Sequence, residues 1–136
     1  MKIIHIITGL GDGGAEHILY KICRYDHLNE HIVISLKRFG KYFKLLNKLD
    51  VKVYSLNINI FSIFQFFKLI KILRLLKPDL VQTWLVHGDF VGSIAAKLAG
   101  IQNIVWNVRY SNLERKNTKF TTFVLVKILA KLSHII

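Results

Sequence analysis

The chain of 136 residues is long enough for one domain with a real core, and a composition of 52% hydrophobic and 21% charged residues excludes a disordered polypeptide, which lacks the apolar surface needed to order itself. Lys and Arg number 20 against 8 Asp and Glu, a net charge of +12, and that balance directs attention to anionic partners: nucleic acid, phosphorylated ligands or an acidic membrane surface. Cys23 is the only cysteine, so an internal disulfide is excluded and a reducing compartment is the simpler expectation.

KIIHIIT (2–8) is a nearly continuous β-branched run, the pattern of a strand buried on both faces. A glycine-rich loop follows, and then AEHILYKICRY (15–25) places Ile18, Leu19, Ile22 and Cys23 on one helical face. HIVISL (31–36) predicts a second strand, YFKLLNKL (42–49) a short helix, and VKVYSL (51–56) a third strand by its alternation. A long helix is expected over 61–77, ended by Pro78, because the residue before a proline avoids the helical region. DLVQTW (79–84) predicts a fourth strand, 89–99 a fourth helix closed by Gly100, NIVWNV (103–108) a fifth strand, 121–132 a fifth helix, and SHII (133–136) the opening of a sixth strand.

Strands and helices that alternate with short connections predict an α/β domain, a single Rossmann-like doubly wound parallel sheet. No internal repeat or linker interrupts it. The apolar start is too short for a secretory leader, and the most apolar stretch, 58–76, is broken by Lys68, Lys71 and Arg74 and falls short of a membrane span. The expected location is therefore cytoplasmic. Ligands of such sheets bind at the carboxyl ends of the strands, which points to 9–17, 37–41, 57–60, 84–89 and 109–117.

GLGDGGAEH (9–17) matches G-x-G-x-x-G through Gly9, Gly11 and Gly14, with a strand before and a helix after, as a dinucleotide fingerprint requires. Two features oppose that use. The second strand ends in Ser35-Leu36-Lys37-Arg38 instead of the carboxylate that holds a ribose, a sequence suited at best to the 2′-phosphate of NADP. Glu16, in the first helical turn, also sets a negative charge against any phosphate resting on the helix N-terminus.

Taken together, MKIIHIITGLGDGGAEHILYKI, KPDLVQTWLVHGDFVGSIAAKLAGI and VWNVRYSN resemble the amino-terminal half of family 4 glycosyltransferases of the GT-B fold. The resemblance spans essentially the whole chain and implies the acceptor-side half of a retaining transferase, ending before a donor-binding domain. It implies a nucleotide-sugar donor and a sugar or lipid-linked acceptor in surface polysaccharide or lipid-linked glycan synthesis, with no metal and no further cofactor. By the same resemblance, Gly13, Gly14 and Glu16 line the donor diphosphate across the interdomain cleft. His87 and Tyr110 stand at the catalytic positions, and Trp84, Asp89, Arg109 and Ser111 border the acceptor.

Each of these residues also has a plain structural use. An imidazole at His87 could orient or deprotonate a hydroxyl, or be an ordinary loop residue. Asp89 could cap the helix it precedes, and Trp84 could pack in the core or offer its face to a sugar. Where the family commonly carries Arg-His-Ser, this chain reads Arg109-Tyr110-Ser111; a phenol donates hydrogen bonds but is a poor base at neutral pH. His5 is expected in the core, and His17, His27 and His31 at the surface.

The positive charge gathers in part on the long helix, where Lys68, Lys71 and Arg74 share one third of the circumference beside Phe61, Phe64, Phe66 and Phe67. That arrangement is either a packed helix with snorkelling cations or a membrane-facing surface for anionic lipid, on the inner face of the membrane. Nucleic acid is a poorer match, since the cations are scattered among aliphatics without a stacking motif. Two alternatives stand beside the transferase half: a non-catalytic remnant or membrane-peripheral binding module, and an NADP-linked enzyme.

Overall fold

The computed structural model describes residues 1–58 and 62–107. Its elements run β1 (Lys2–Ile7), α1 (Gly14–Tyr25), β2 (Glu30–Ser35), α2 (Lys41–Asn47), β3 (Lys52–Ser55), α3 (Ile63–Leu76), β4 (Leu80–Trp84), α4 (Val86–Leu98) and β5 (Ile104–Asn107). The five strands are all parallel in the order β3-β2-β1-β4-β5, the doubly wound arrangement expected from the alternation of periods. The expected helix at 121–132, the strand opening at 133–136 and Arg109, Tyr110 and Ser111 lie outside the described residues.

The side-chain period of two sends alternate residues of the central strands into two separate cores. Ile4, Ile6, Ile32, Ile34 and Val81 meet Leu69, Ile70 and Leu73 of α3 and Ala95 and Ala96 of α4. On the other face Ile7, Val33 and Trp84 meet Ala15, Leu19 and Cys23 of α1 and Tyr42 and Leu46 of α2. Each fully buried Ile or Leu contributes roughly 1.5–3 kcal/mol relative to exposure, so the β-branched runs that specify strands also supply much of the stability.

Helix ends follow local chemistry. Lys77 closes α3 in the left-handed region (φ 44°, ψ 63°), its N–H donating to Leu73 O at 3.0 Å, and Pro78 forbids continuation. Gly100 follows α4 at φ 87° and donates to Lys97 O, a backbone position that favours glycine.

Candidate functional site at the strand switch point

Where strand order reverses, the connections after the two central strands leave toward opposite faces and open a crevice. Here the reversal lies between β1 and β4, whose ends are set by the pairing of Ile7 with Trp84. Residues 8–13 and the first turn of α1 form one wall; Leu85 and the first turn of α4 form the other.

None of Gly9, Gly11, Gly13 and Gly14 needs the left-handed region, since Gly100 is the one glycine with positive φ among the described residues. Their use is space. A Cβ added at Gly14 would meet nothing within 4 Å, and Gly13 caps α1 in extended conformation without a side-chain hydrogen bond. The first N–H groups of α1 are therefore offered outward at the positive end of the helix dipole. The Glu16 carboxylate lies over this backbone: a Cβ at Gly13 would fall 2.5 Å from its Oε2. Glu16 already occupies the field that an incoming anion would use.

Across the crevice, Leu85 adopts φ 66° and ψ 151°, a conformation that is nearly glycine-only and that persists where surrounding structure holds it. The hold is visible: Gly88 N–H donates to Thr8 Oγ1 at 3.1 Å, and a Cβ at Gly88 would sit 3.1 Å from Ile6 O and 3.3 Å from Thr8 N. Helix α4 thus rests directly on the end of β1. His87, second residue of that helix, is exposed at the rim.

Two expectations at this wall are corrected. Helix α4 begins at Val86 instead of 89, so Asp89 is not an N-cap; it lies inside the first turn, only 5% exposed, with its N–H bonded to Leu85 O. Burial pushes its carboxyl up to about 6, against a smaller opposite effect of the Thr83 hydroxyl. Oδ1 has no hydrogen-bond partner among the described residues. Trp84 is fully buried and presents no face to a ligand.

Trp84 instead begins a polar seam beneath α1. Its indole N–H donates to His5 Nδ1 at 3.3 Å, and His5 Nε2 lies 2.9 Å from His31 Nδ1. His31 Nε2 stands 3.2 Å from Asp26 Oδ2, at an angle short of a hydrogen bond. An indole only donates, so His5 accepts at Nδ1, carries its proton on Nε2 and donates to His31. Burial, reinforced by the adjacent His31, pushes His5 down to about 3. His5 is in the core as expected, but His31, expected at the surface, is 8% exposed.

Cys23 completes a cluster whose ligand atoms lie within 4.8 Å of one another. The Trp84-directed tautomer engages both histidine nitrogens that face one another, and burial pushes the thiol up to about 12. The cluster fits a packed hydrogen-bonded seam better than a metal centre.

Away from the crevice, Ile63, Phe64, Phe67 and Leu75 of α3 are 59–85% exposed, and exposed Lys68 and Lys71 lie on the same arc. Arg74 is different from the two lysines: its Nη2 donates to Leu98 O at 2.8 Å, tying α3 to the end of α4. Among the described residues no helix is long and apolar enough to cross a membrane.

The structure adds residues that sequence reasoning passed over. Lys41 Nζ reaches Asp12 Oδ1 and Oδ2 at 2.9 and 2.8 Å, and Gly40 presses its backbone on Leu10 and Gly11. Only the helical spacing of Gly88 and Gly92, both close against the sheet, carried a local signal for the second wall. At the end of β2, Ser35 Oγ donates to Lys37 O, and no carboxylate stands there.

No protein-family model and no curated protein matches the chain. Solved structures do. The chain superposes on Anabaena HepE in complex with UDP with TM-score 0.77 and 21% identity, covering 96% of this chain and 35% of that one. Acinetobacter baumannii MurG gives 0.58 and 16% over 93% and 39%, and the lipopolysaccharide outer core galactosyltransferase WaaB 0.56 and 20% over 78% and 32%. The chain thus spans about a third of the length of these proteins and has the fold of one half of a GT-B glycosyltransferase.

Proposed function

We propose that the chain is the acceptor-side half of a retaining, nucleotide-sugar-dependent glycosyltransferase acting in surface polysaccharide or lipid-linked glycan synthesis. The observation that carries this proposal is the switch point between β1 and β4, where the glycine loop leading into α1 and the first turn of α4 leave the paired strand ends, with open space at Gly14. HepE, of which the chain resembles one part, has been crystallised with UDP-glucose.

In this role the chain's residues divide the work across the crevice. Backbone N–H groups at Gly13 and Gly14 take a diphosphate that a second domain holds by its nucleotide. Glu16 must swing off Gly13 first, so Glu16→Gln strengthens binding of inorganic pyrophosphate, by about threefold for removal of a nearby charge in solvent. His87, at the exposed rim, orients or accepts the proton of an acceptor hydroxyl, a task the family resemblance shares with Tyr110, Arg109 and Ser111. Asp89 and Trp84 serve this wall from beneath, as packing.

A membrane-peripheral role is favoured by one observation, the exposed Ile63, Phe64, Phe67 and Leu75 interleaved with Lys68 and Lys71. Such a face lies in the plane of an anionic bilayer surface and suits an acceptor carried on lipid.

The test is titration of the chain with inorganic pyrophosphate, and separately with NADP, followed by backbone amide shifts. Shifts concentrated at Gly11 to Ala15 are expected. Silence there, or shifts centred on Lys37 and Arg38 with NADP, overturns the proposal.

A further inference from the structure

We infer that Gly40 is a positioning residue for the glycine loop: it lets the N-terminal turn of α2 lock residues 10–13 in the conformation that presents the loop's backbone to the crevice. This rests on the diphosphate role proposed for that loop.

The contact is backbone on backbone. A Cβ built on Gly40 would collide with the Leu10 carbonyl oxygen, and would lie 2.6 Å from its carbon and 3.0 Å from Gly11 N. Real side chains do not approach so closely, and none of these three atoms belongs to a flexible side chain that could swing away. Gly40 itself sits at φ −144° and ψ −169°, an extended conformation open to any residue, so what the position requires is the missing side chain.

Two further ties join the same two segments, and a third joins α2 to α1. Tyr42 N–H donates to Leu10 O at 3.1 Å. Lys41 Nζ grips both oxygens of Asp12, inside the loop, and Asp12 in turn holds the Lys41 ammonium above its ordinary range. The phenol of Tyr42 lies 3.0 Å from His17 Nδ1, one turn into α1. Loop, α1 and α2 therefore move as one body, with Gly40 setting the distance between them. A glycine loop that serves by its N–H groups needs such a hold, because a donor array ordered only on binding loses affinity to the cost of ordering.

The experiment uses the 136-residue chain. Gly40→Ala is expected to shift the amides of Leu10 to Gly13, to speed exchange of the Tyr42 N–H by about tenfold or more as a local opening, and to weaken inorganic pyrophosphate binding by a similar factor. Asn47→Ala, exposed on the same helix, leaves all three unchanged. Wild-type amide positions in Gly40→Ala overturn the inference. Should Gly40→Ala not fold, Asp12→Asn with Lys41→Met is the second arm: faster exchange of the Tyr42 N–H, which donates to Leu10 O, supports the lock, and unaltered exchange overturns it. If loop amides move in Gly40→Ala but pyrophosphate never perturbs the wild-type loop, the lock stands and the diphosphate role falls.

Discussion

Two buried titrating side chains, His5 and Asp89, have opposite pH dependences. His5 is held neutral, its pKa lowered from 6.5 to about 3, so the unfolded chain takes up a proton below 6.5 that the folded chain refuses. Its share of stability is present above 6.5 and is lost as pH falls toward 3, at about 1.4 kcal/mol per pH unit. Asp89 is raised from 3.8 to about 6, so the folded state holds a proton that the unfolded state releases; its favourable share is present below 3.8 and is lost as pH rises through 6. Between 6 and 3.8 the two slopes cancel. Asp89→Asn therefore exposes the loss due to His5 in that window and raises stability at neutral pH, on the order of 2–3 kcal/mol. His5→Gln exposes the opposite slope. Urea midpoints of both variants from pH 7.5 to 4, each as a difference from the parent, check the signs; parallel curves would contradict them.

Single helices show how the same residue types take different work. On α3 Lys68 and Lys71 lie exposed beside Phe64 and Phe67, while Arg74 holds Leu98 O. Neutralising Lys68 and Lys71 together is expected to weaken binding to anionic liposomes and to remove most of its salt sensitivity. Arg74→Gln leaves liposome binding in place and lowers the thermal midpoint instead. Equal binding of the parent chain to neutral vesicles would mean the aromatic face, and not charge, drives adsorption. On α4 the constraint is space: a Cβ at Gly92 would lie 2.8 Å from Thr83 Cγ2 and 3.2 Å from Ile6 Cγ2. Gly92→Val should destabilise by about 1–3 kcal/mol through overpacking, readable in the urea midpoint, and by displacing α4 should also disturb the rim at His87.

For the molecule as a whole, the chain corresponds to about a third of HepE, and one wall of a cleft does not hold a complete nucleotide-sugar. We expect the isolated chain to hydrolyse or transfer no sugar from UDP-glucose, with or without a lipid-linked acceptor; turnover detected by released UDP would refute this. NAD is expected not to bind stoichiometrically, because no carboxylate stands at the end of β2 to hold its ribose; stoichiometric binding of NADP, whose 2′-phosphate Lys37 and Arg38 would meet, would return the chain to the dinucleotide-binding class.

What the chain's letters determined unaided was the sequence of periods. Runs of β-branched residues at 2–8 and 31–36, the stop at Pro78 and the glycine at 100 each act within a few neighbours, so the five parallel strands and the helices between them were legible with boundaries off by up to three residues. The position of the crevice followed from that order. Only the tertiary structure decided which polar residues reach it. Asp89 and Trp84 turn inward because Gly88 and Gly92 let α4 settle on β1 and β4. His31 is buried because α1 folds over it to meet His5, 26 positions away. Gly40 and Lys41 matter because α2 returns to the loop at Leu10 and Asp12. Local periodicity states which face of an element is apolar, whereas these contacts depend on the closeness of approach between elements distant in the chain, and that is set by packing.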